Sequence, residues 1–124
     1  MERNTVQRRA IHKVLEQSGR PMGPPEIFEA AKSHAPGLGI ATVYRTIKRL
    51  IEDGFLAQVE LPGEAPRYEV SGKGHHHHFR CSNCSKVFDL QGCPGAFKQI
   101  LPKGFHLEGH EVYLFGRCGD CAAA

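Results

Sequence analysis

The residues best placed to do chemistry are two cysteine pairs, Cys81-Ser-Asn-Cys84 and Cys118-Gly-Asp-Cys121. Each pair sets two sulfurs on one tight turn, within the reach of a tetrahedral zinc ion. Together they complete a four-thiolate site with no open position, and a closed site is structural rather than catalytic. Such a site ties the end of the chain back to an earlier segment, so that zinc affinity becomes folding free energy. The rival reading, a pair of dithiol redox motifs, would more usually place one low-pKa thiol at a strand-to-helix turn.

The second cluster is Gly74-His75-His76-His77-His78, running into Phe79-Arg80-Cys81. In an extended chain alternate side chains face opposite ways. His75 and His77 then share one face, and His76 and His78 share the other. Four consecutive histidines can thus serve two different metal centres. Groups able to complete them are Glu69, Asp89, the leftover Cys93, His106, Glu108, His110 and Glu111. The plain alternative is a solvated polar turn.

These residues need elements to position them. Lys86–Leu90 reads as a strand leaving the first cysteine pair, and Glu111–Gly116 as a strand arriving at the second. Residues 94–101 read as a short helix opened by Pro94. This lobe is a small α/β unit, and edge strands this apolar point to pairing with another copy. In the first half, Val6, Ala10, Ile11, Val14 and Leu15 recur at helical spacing over residues 5–17, with Asn4 or Thr5 as cap and Gly19 as stop. Pro24 and Pro25 suit the first turn of a second helix that carries Ile27, Phe28, Ala30 and Ala31. Pro36-Gly37-Leu38-Gly39 breaks the chain. A third helix runs from about Ala41 to Asp53 and stops at Gly54. Val43, Ile47, Leu50 and Ile51 would face inward, and Thr42, Tyr44, Arg45, Lys48 and Arg49 outward. Phe55–Glu60, a turn over Pro62–Pro66 and Arg67–Val70 form a hairpin. Three helices and a hairpin make a winged helix-turn-helix, whose third helix enters the major groove. There an arginine can pair with guanine, and Thr42 or Tyr44 can touch a thymine methyl or a phosphate. Lys48 and Arg49 sit where phosphates run. The alternative is an amphipathic helix with a solvated basic face.

The composition agrees. The net charge is +3, and residues 1–58 hold nine Lys/Arg against six Asp/Glu, whereas residues 59–124 hold seven of each. All five cysteines and six of the eight histidines fall in that second half. A basic lobe and a metal-rich lobe follow, with boundaries expected at residues 1–70, a hinge over 71–78 carrying metal ligands, and 79–124. No apolar run approaches the roughly 18 residues of a membrane span. The start, Met-Glu-Arg-Asn-Thr, is polar, and an odd cysteine count argues against a secreted disulfide framework, so the expected compartment is the cytoplasm. Phosphate-loop, His-Glu-x-x-His and deaminase signatures are absent, which excludes the usual zinc enzymes. A zinc-ribbon interaction module that binds no DNA is the remaining alternative.

The chain resembles the Fur family of metal-dependent bacterial repressors. The matching residues are Gly39-Ile-Ala-Thr-Val-Tyr-Arg-Thr46, Arg67-Tyr68-Glu69, the His75–His78 tract with Cys81-x-x-Cys84, and Tyr113-x-Phe-Gly-x-Cys118-x-x-Cys121. They occur in the family's order over nearly the whole chain. The resemblance implies an α+β protein: an N-terminal winged helix, a C-terminal dimerisation lobe and a homodimer. It implies binding to palindromic double-stranded operators when a divalent metal (Fe2+, Zn2+ or Mn2+) is loaded, with no small organic substrate. One branch of the family senses peroxide instead. Carried over by position, structural zinc falls on Cys81, Cys84, Cys118 and Cys121. The regulatory site falls on Glu69, His76, His78 and Asp89, and a further site on His75, His77, Cys93 and His110. Tyr44 and Arg45 become the base readers. The expected mechanism is a population shift, in which metal at the hinge fixes the separation of the two DNA lobes.

Three departures stand out. Many relatives carry a histidine just before the second helix; here the stretch is Arg20-Pro21-Met22-Gly23-Pro24-Pro25, and His34 lies at that helix's far end. Cys93 stands where relatives more often have a carboxylate, and a thiolate there favours zinc over iron or manganese. Relatives often begin with an extra helix bearing a DNA-contacting basic residue, a role left here to Arg3 or to none.

Overall fold

The computed structural model describes residues 2–123, with side chains from residue 5 onward. The chain divides into two compact units, Met1–Lys73 and Gly74–Ala124.

The first unit begins with helix α1, Glu2–Ser18. Its start precedes the expected cap. Neither glycine nor proline interrupts residues 2–18, so the helix propagates through Thr5, and the Asn4 side chain lies outside the described residues. Gly19, at φ +65°, ends the helix in the left-handed conformation that only glycine adopts freely. Helix α2, Pro24–Ala31, opens on two prolines, whose missing N–H groups cost nothing in a first turn. The Ile27 N–H closes that turn on the Gly23 carbonyl at 3.0 Å. A 3-10 turn, Lys32–His34, prolongs it. Helix α3, Ile40–Glu52, stops at Gly54, φ +81°. Strands β1, Leu56–Val59, and β2, Arg67–Val70, pair antiparallel with Leu56 opposite Val70. Met22 and Tyr68 exchange two backbone hydrogen bonds of 2.9 Å, which clasp the wing to the segment leading into α2.

One core holds this unit together. Ile11 and Leu15 of α1, Ile27 and Ala31 of α2, Val43 and Ile47 of α3, and Leu56 of β1 are all buried. Leu50 packs against them, as expected, but Ile51 is 37% exposed and Thr46 is buried. At 100° per residue, Ile51 sits about 80° round the helix from Val43, beyond the edge of the buried stripe, whereas Thr46 lies within it.

The second unit is a three-stranded sheet of order β4-β3-β5. Strand β3, His77–Cys81, pairs antiparallel with β4, Val87–Leu90, and parallel with β5, Tyr113–Gly116. The short helix expected over 94–101 is only a 3-10 turn, Phe97–Ile100. Gly92, Gly95 and Ala96 all hold positive φ just before it, which no α-helix accommodates. Helix α4, Gly119–Ala123, carries Cys121 and, at five residues, is too short to announce itself by periodicity. Among the described hydrophobic residues of this unit, only Cys81 and Val87 are buried.

The helices long enough to dominate far-ultraviolet circular dichroism all lie in the first unit. Ile11→Ala or Ile27→Ala, each at fully buried positions, should cost about 2–5 kcal/mol by chemical denaturation followed at that signal.

Candidate metal centres and nucleic-acid interface

The four-cysteine cluster forms where β3 ends and α4 begins. After Cys81 the chain turns back through Ser85, at φ +67°, and the Cys81 N–H donates to the Lys86 carbonyl at 2.9 Å. That turn brings Cys84 beneath Cys81, and the Cys84 N–H donates to the Cys81 sulfur at 3.4 Å. The Cys118 N–H donates to the same sulfur, also at 3.4 Å. All four sulfurs lie within 4.8 Å of one another, and Cys84 and Cys118 are 3.8 Å apart. A tetrahedral zinc with bonds of about 2.3 Å spaces its sulfurs by about 3.8 Å. Backbone hydrogen bonds from Cys84 and Cys118 draw the Cys81 thiol down to about 5. At Cys121 a hydrogen bond from Asn83 acts downward, but the Cys118 and Cys81 sulfurs outweigh it and push the thiol up to about 11. Four thiolates this close repel one another, and a divalent cation at their centre removes that conflict.

The histidine tract divides by the alternation of β3. His76 and His78 form one pair, their ring centroids 4.8 Å apart. Their Nε2 atoms lie 3.6 and 3.3 Å from one Asp89 carboxylate oxygen, because His78 stands opposite Asp89 in the β3–β4 register. On the other face His75 and His77 stack edge-on at 4.6 Å. His110 packs 4.9 Å from His75 and 5.3 Å from His77, and its Nε2 meets the Cys93 sulfur at 3.1 Å. These four side chains bring ligand atoms within 4.8 Å of one another. His77 is only 4% exposed: its Nδ1 accepts from the Val112 N–H at 3.2 Å, and its Nε2 has no partner among the described residues. Burial first, and then the neighbouring imidazoles, hold its pKa below the usual histidine value, which keeps the ring in the neutral form that ligates metals. With Nδ1 as acceptor the neutral ring carries its proton on Nε2, so a metal at Nε2 would take the other tautomer and displace the Val112 bond.

Glu69 belongs to the first unit. It is buried on β2, with its carboxylate 3.6 Å from Lys73 Nζ. Among the described residues, His106, Glu108 and Glu111 join none of these clusters. His34 is exposed at the end of the 3-10 turn, and the Arg3 side chain lies outside the described residues.

The outward face of α3 is as expected. Tyr44 is 54% exposed, and Arg45, Lys48 and Arg49 are exposed beside it. Thr42 is half-buried and accepts a 2.9 Å hydrogen bond from the Arg45 guanidinium, which steers that side chain. Arg49 Nε lies 4.0 Å from Asp53.

A winged helix joined to a small sheet with thiolate and imidazole clusters defines a metal-responsive regulator of transcription. The chain belongs to the ferric uptake regulator family, whose sequence profile matches residues 2–115. It is 35% identical over 122 residues to the ferric uptake regulation protein of Campylobacter jejuni, covering 94% of this chain and 78% of that one. The ferric uptake regulator of Helicobacter pylori, described as having three functional metal-binding sites, superposes with TM-score 0.67 at 27% identity, covering 94% of this chain and 79% of that one. The ferric uptake regulator of Francisella tularensis, solved with iron, superposes with TM-score 0.70 at 26% identity, covering 94% and 91%.

Cys118→Ser should lower the zinc content of purified protein by one ion per chain. It should also remove hydrogen-exchange protection from β3 and β5 while α1 to α3 stay protected. Full protection of the sheet without zinc would contradict a structural role.

Proposed function

We propose that this chain is a cytoplasmic repressor that binds palindromic operator DNA as a homodimer when a divalent metal is loaded, and so controls metal homeostasis. The observation that carries this reading is the placing of His76 and His78 around Asp89, while their immediate neighbours His75 and His77 turn toward Cys93 and His110. Two donor sets of different softness thus share one five-residue strand and the residues just before it. The imidazole–carboxylate set suits Fe2+ or Mn2+, and the set containing Cys93 suits Zn2+.

In this reading Glu69 supplies the ligand from the wing, and His76, His78 and Asp89 supply those beyond the hinge. A divalent cation supplies the attraction that holds two carboxylates and two neutral imidazoles together. Glu69 then restrains the wing, and through the Met22–Tyr68 clasp it restrains α2 and the core beneath α3. Both recognition helices of a dimer are thereby held at one separation. A coupling of about 1–3 kcal/mol suffices to change operator occupancy some 5- to 150-fold. The homodimer is supported by β5, an edge strand on which Leu114 and Phe115 are exposed, with Ile100 and Phe105 exposed nearby in sequence. Tyr44 and Arg45 are assigned to base edges, and Thr42, Lys48 and Arg49 to the phosphate backbone.

The double variant His76→Ala, His78→Ala should lose metal-dependent binding to the chain's own promoter in a gel shift, while sedimentation still reports a dimer. A metal response that survives in this variant would sink the hinge mechanism. Wild-type protein that shows no shift with any of the three metals would instead favour an interaction module. Separately, Cys93→Asp should weaken zinc retention relative to manganese in competition dialysis, with the four-cysteine zinc unaffected.

A further inference from the structure

The DNA-facing residues recognised by sequence all lie on α3, but the fold brings a further cation to that face. Arg8, on α1, is exposed, and it lines a cleft of about 320 Å³ together with Thr42, Arg45, Thr46 and Arg49 of α3. Every charged group in this lining is a guanidinium, two threonines contribute the remaining polar groups, and no carboxylate is present. An adjoining hollow of about 250 Å³ shares Arg8, Thr46 and Arg49 and adds Arg9. Its one carboxylate, Asp53, is 4.0 Å from Arg49. Arg8 and Arg9 form no ion pair among the described residues.

Three arginines gathered around one cleft with no anion among its lining repel one another, so the arrangement favours any anion that enters. Guanidinium forks match an anion presenting several oxygens in a fixed geometry, as phosphate does. The position of the cleft selects among phosphates. It opens beside Arg45 on the outer face of α3, so a duplex whose major groove receives α3 must carry its backbone past this point.

We propose that the α1–α3 cleft seats a backbone phosphate of duplex DNA, with Arg8 as the ligand supplied by α1. This rests on the DNA-binding reading and assigns a contact outside the recognition helix. Arg8 then sets affinity and register rather than sequence preference, because a phosphate carries no base information. It also gives this chain a basic contact from α1, without recourse to Arg3.

The test uses the full-length, metal-loaded protein with two labelled duplexes of equal length, one from the chain's own promoter and one scrambled, over a series of salt concentrations. Arg8→Ala should weaken binding several-fold to both duplexes and leave the ratio between them unchanged. It should reduce the slope of log affinity against log salt by about 1. Arg8→Lys should restore the slope, since the charge returns. Arg45→Ala should instead lower the ratio between duplexes. An Arg8→Ala protein with an unchanged slope, or one weakened on the promoter duplex alone, would overturn the assignment. Arg8→Gln, which keeps most of the side chain's length, gives the same reading if the alanine variant destabilises α1. Wild-type protein that binds neither duplex would overturn the DNA reading itself, a result distinct from a normal wild type with an unaltered Arg8 variant.

Discussion

The second unit cannot hold itself together by burying apolar surface. Residues 74–124 bury only Cys81 and Val87 among the described hydrophobics, and a unit of that size ordinarily needs a metal, a disulfide or a partner. The four sulfurs of Cys81, Cys84, Cys118 and Cys121 gather where β3 ends and α4 begins, and a metal held there would meet this need. It would join residues more than thirty positions apart in sequence and so fix β5 beside β3. The other features of the unit follow from that placement. Once β3 is held as the central strand, its pleat sends alternate histidines to opposite sides, and its register with β4 sets Asp89 against His78. The cysteine cluster lies at the end of the strand that presents both histidine pairs and shares no residue with either group.

The first unit is built on the opposite principle. A continuous apolar core from three helices and a strand fixes the backbone, and the polar outer face of α3 is what remains after Val43, Thr46 and Ile47 are buried. The reach of that face is set by the packing of α1 against α3, because Arg8 lies on α1 yet lines the same cleft as Arg45 and Arg49. The wing is secured by main-chain bonds between Met22 and Tyr68, so Glu69, one residue further along β2, is anchored to the helical core. Glu69 is therefore held on the same compact unit as α3.

Much of this was legible in the residues. Helix stops at Gly19 and Gly54 require positive φ, the prolines of α2 suit only a first turn, and Cys-x-x-Cys pairs permit few arrangements. The misjudged elements are those that local pattern does not decide. The stretch after Cys93 has helical composition, but left-handed positions at Gly95 and Ala96, with another at Gly92, reduce it to one 3-10 turn. Ile51 is apolar at helical spacing but falls just outside the buried stripe. Helix α4 is too short to have a period of its own and forms around the cysteine turn, where the Ala122 N–H reaches the Cys118 carbonyl at 2.8 Å.

By itself the sequence determined which atoms could bind metal and which helix could meet DNA, because ligand chemistry and side-chain periodicity are local properties. It also split the histidines into two pairs, since strand alternation depends only on neighbouring residues. Tertiary structure decided what completes each pair. The choice of Asp89 for one face and of Cys93 with His110 for the other, over His106, Glu108 and Glu111, depends on strand register and loop path, which link residues far apart in the chain. The same holds for Arg8, whose place beside the recognition helix is set by the packing of one helix on another and leaves no trace in the spacing of residues along either.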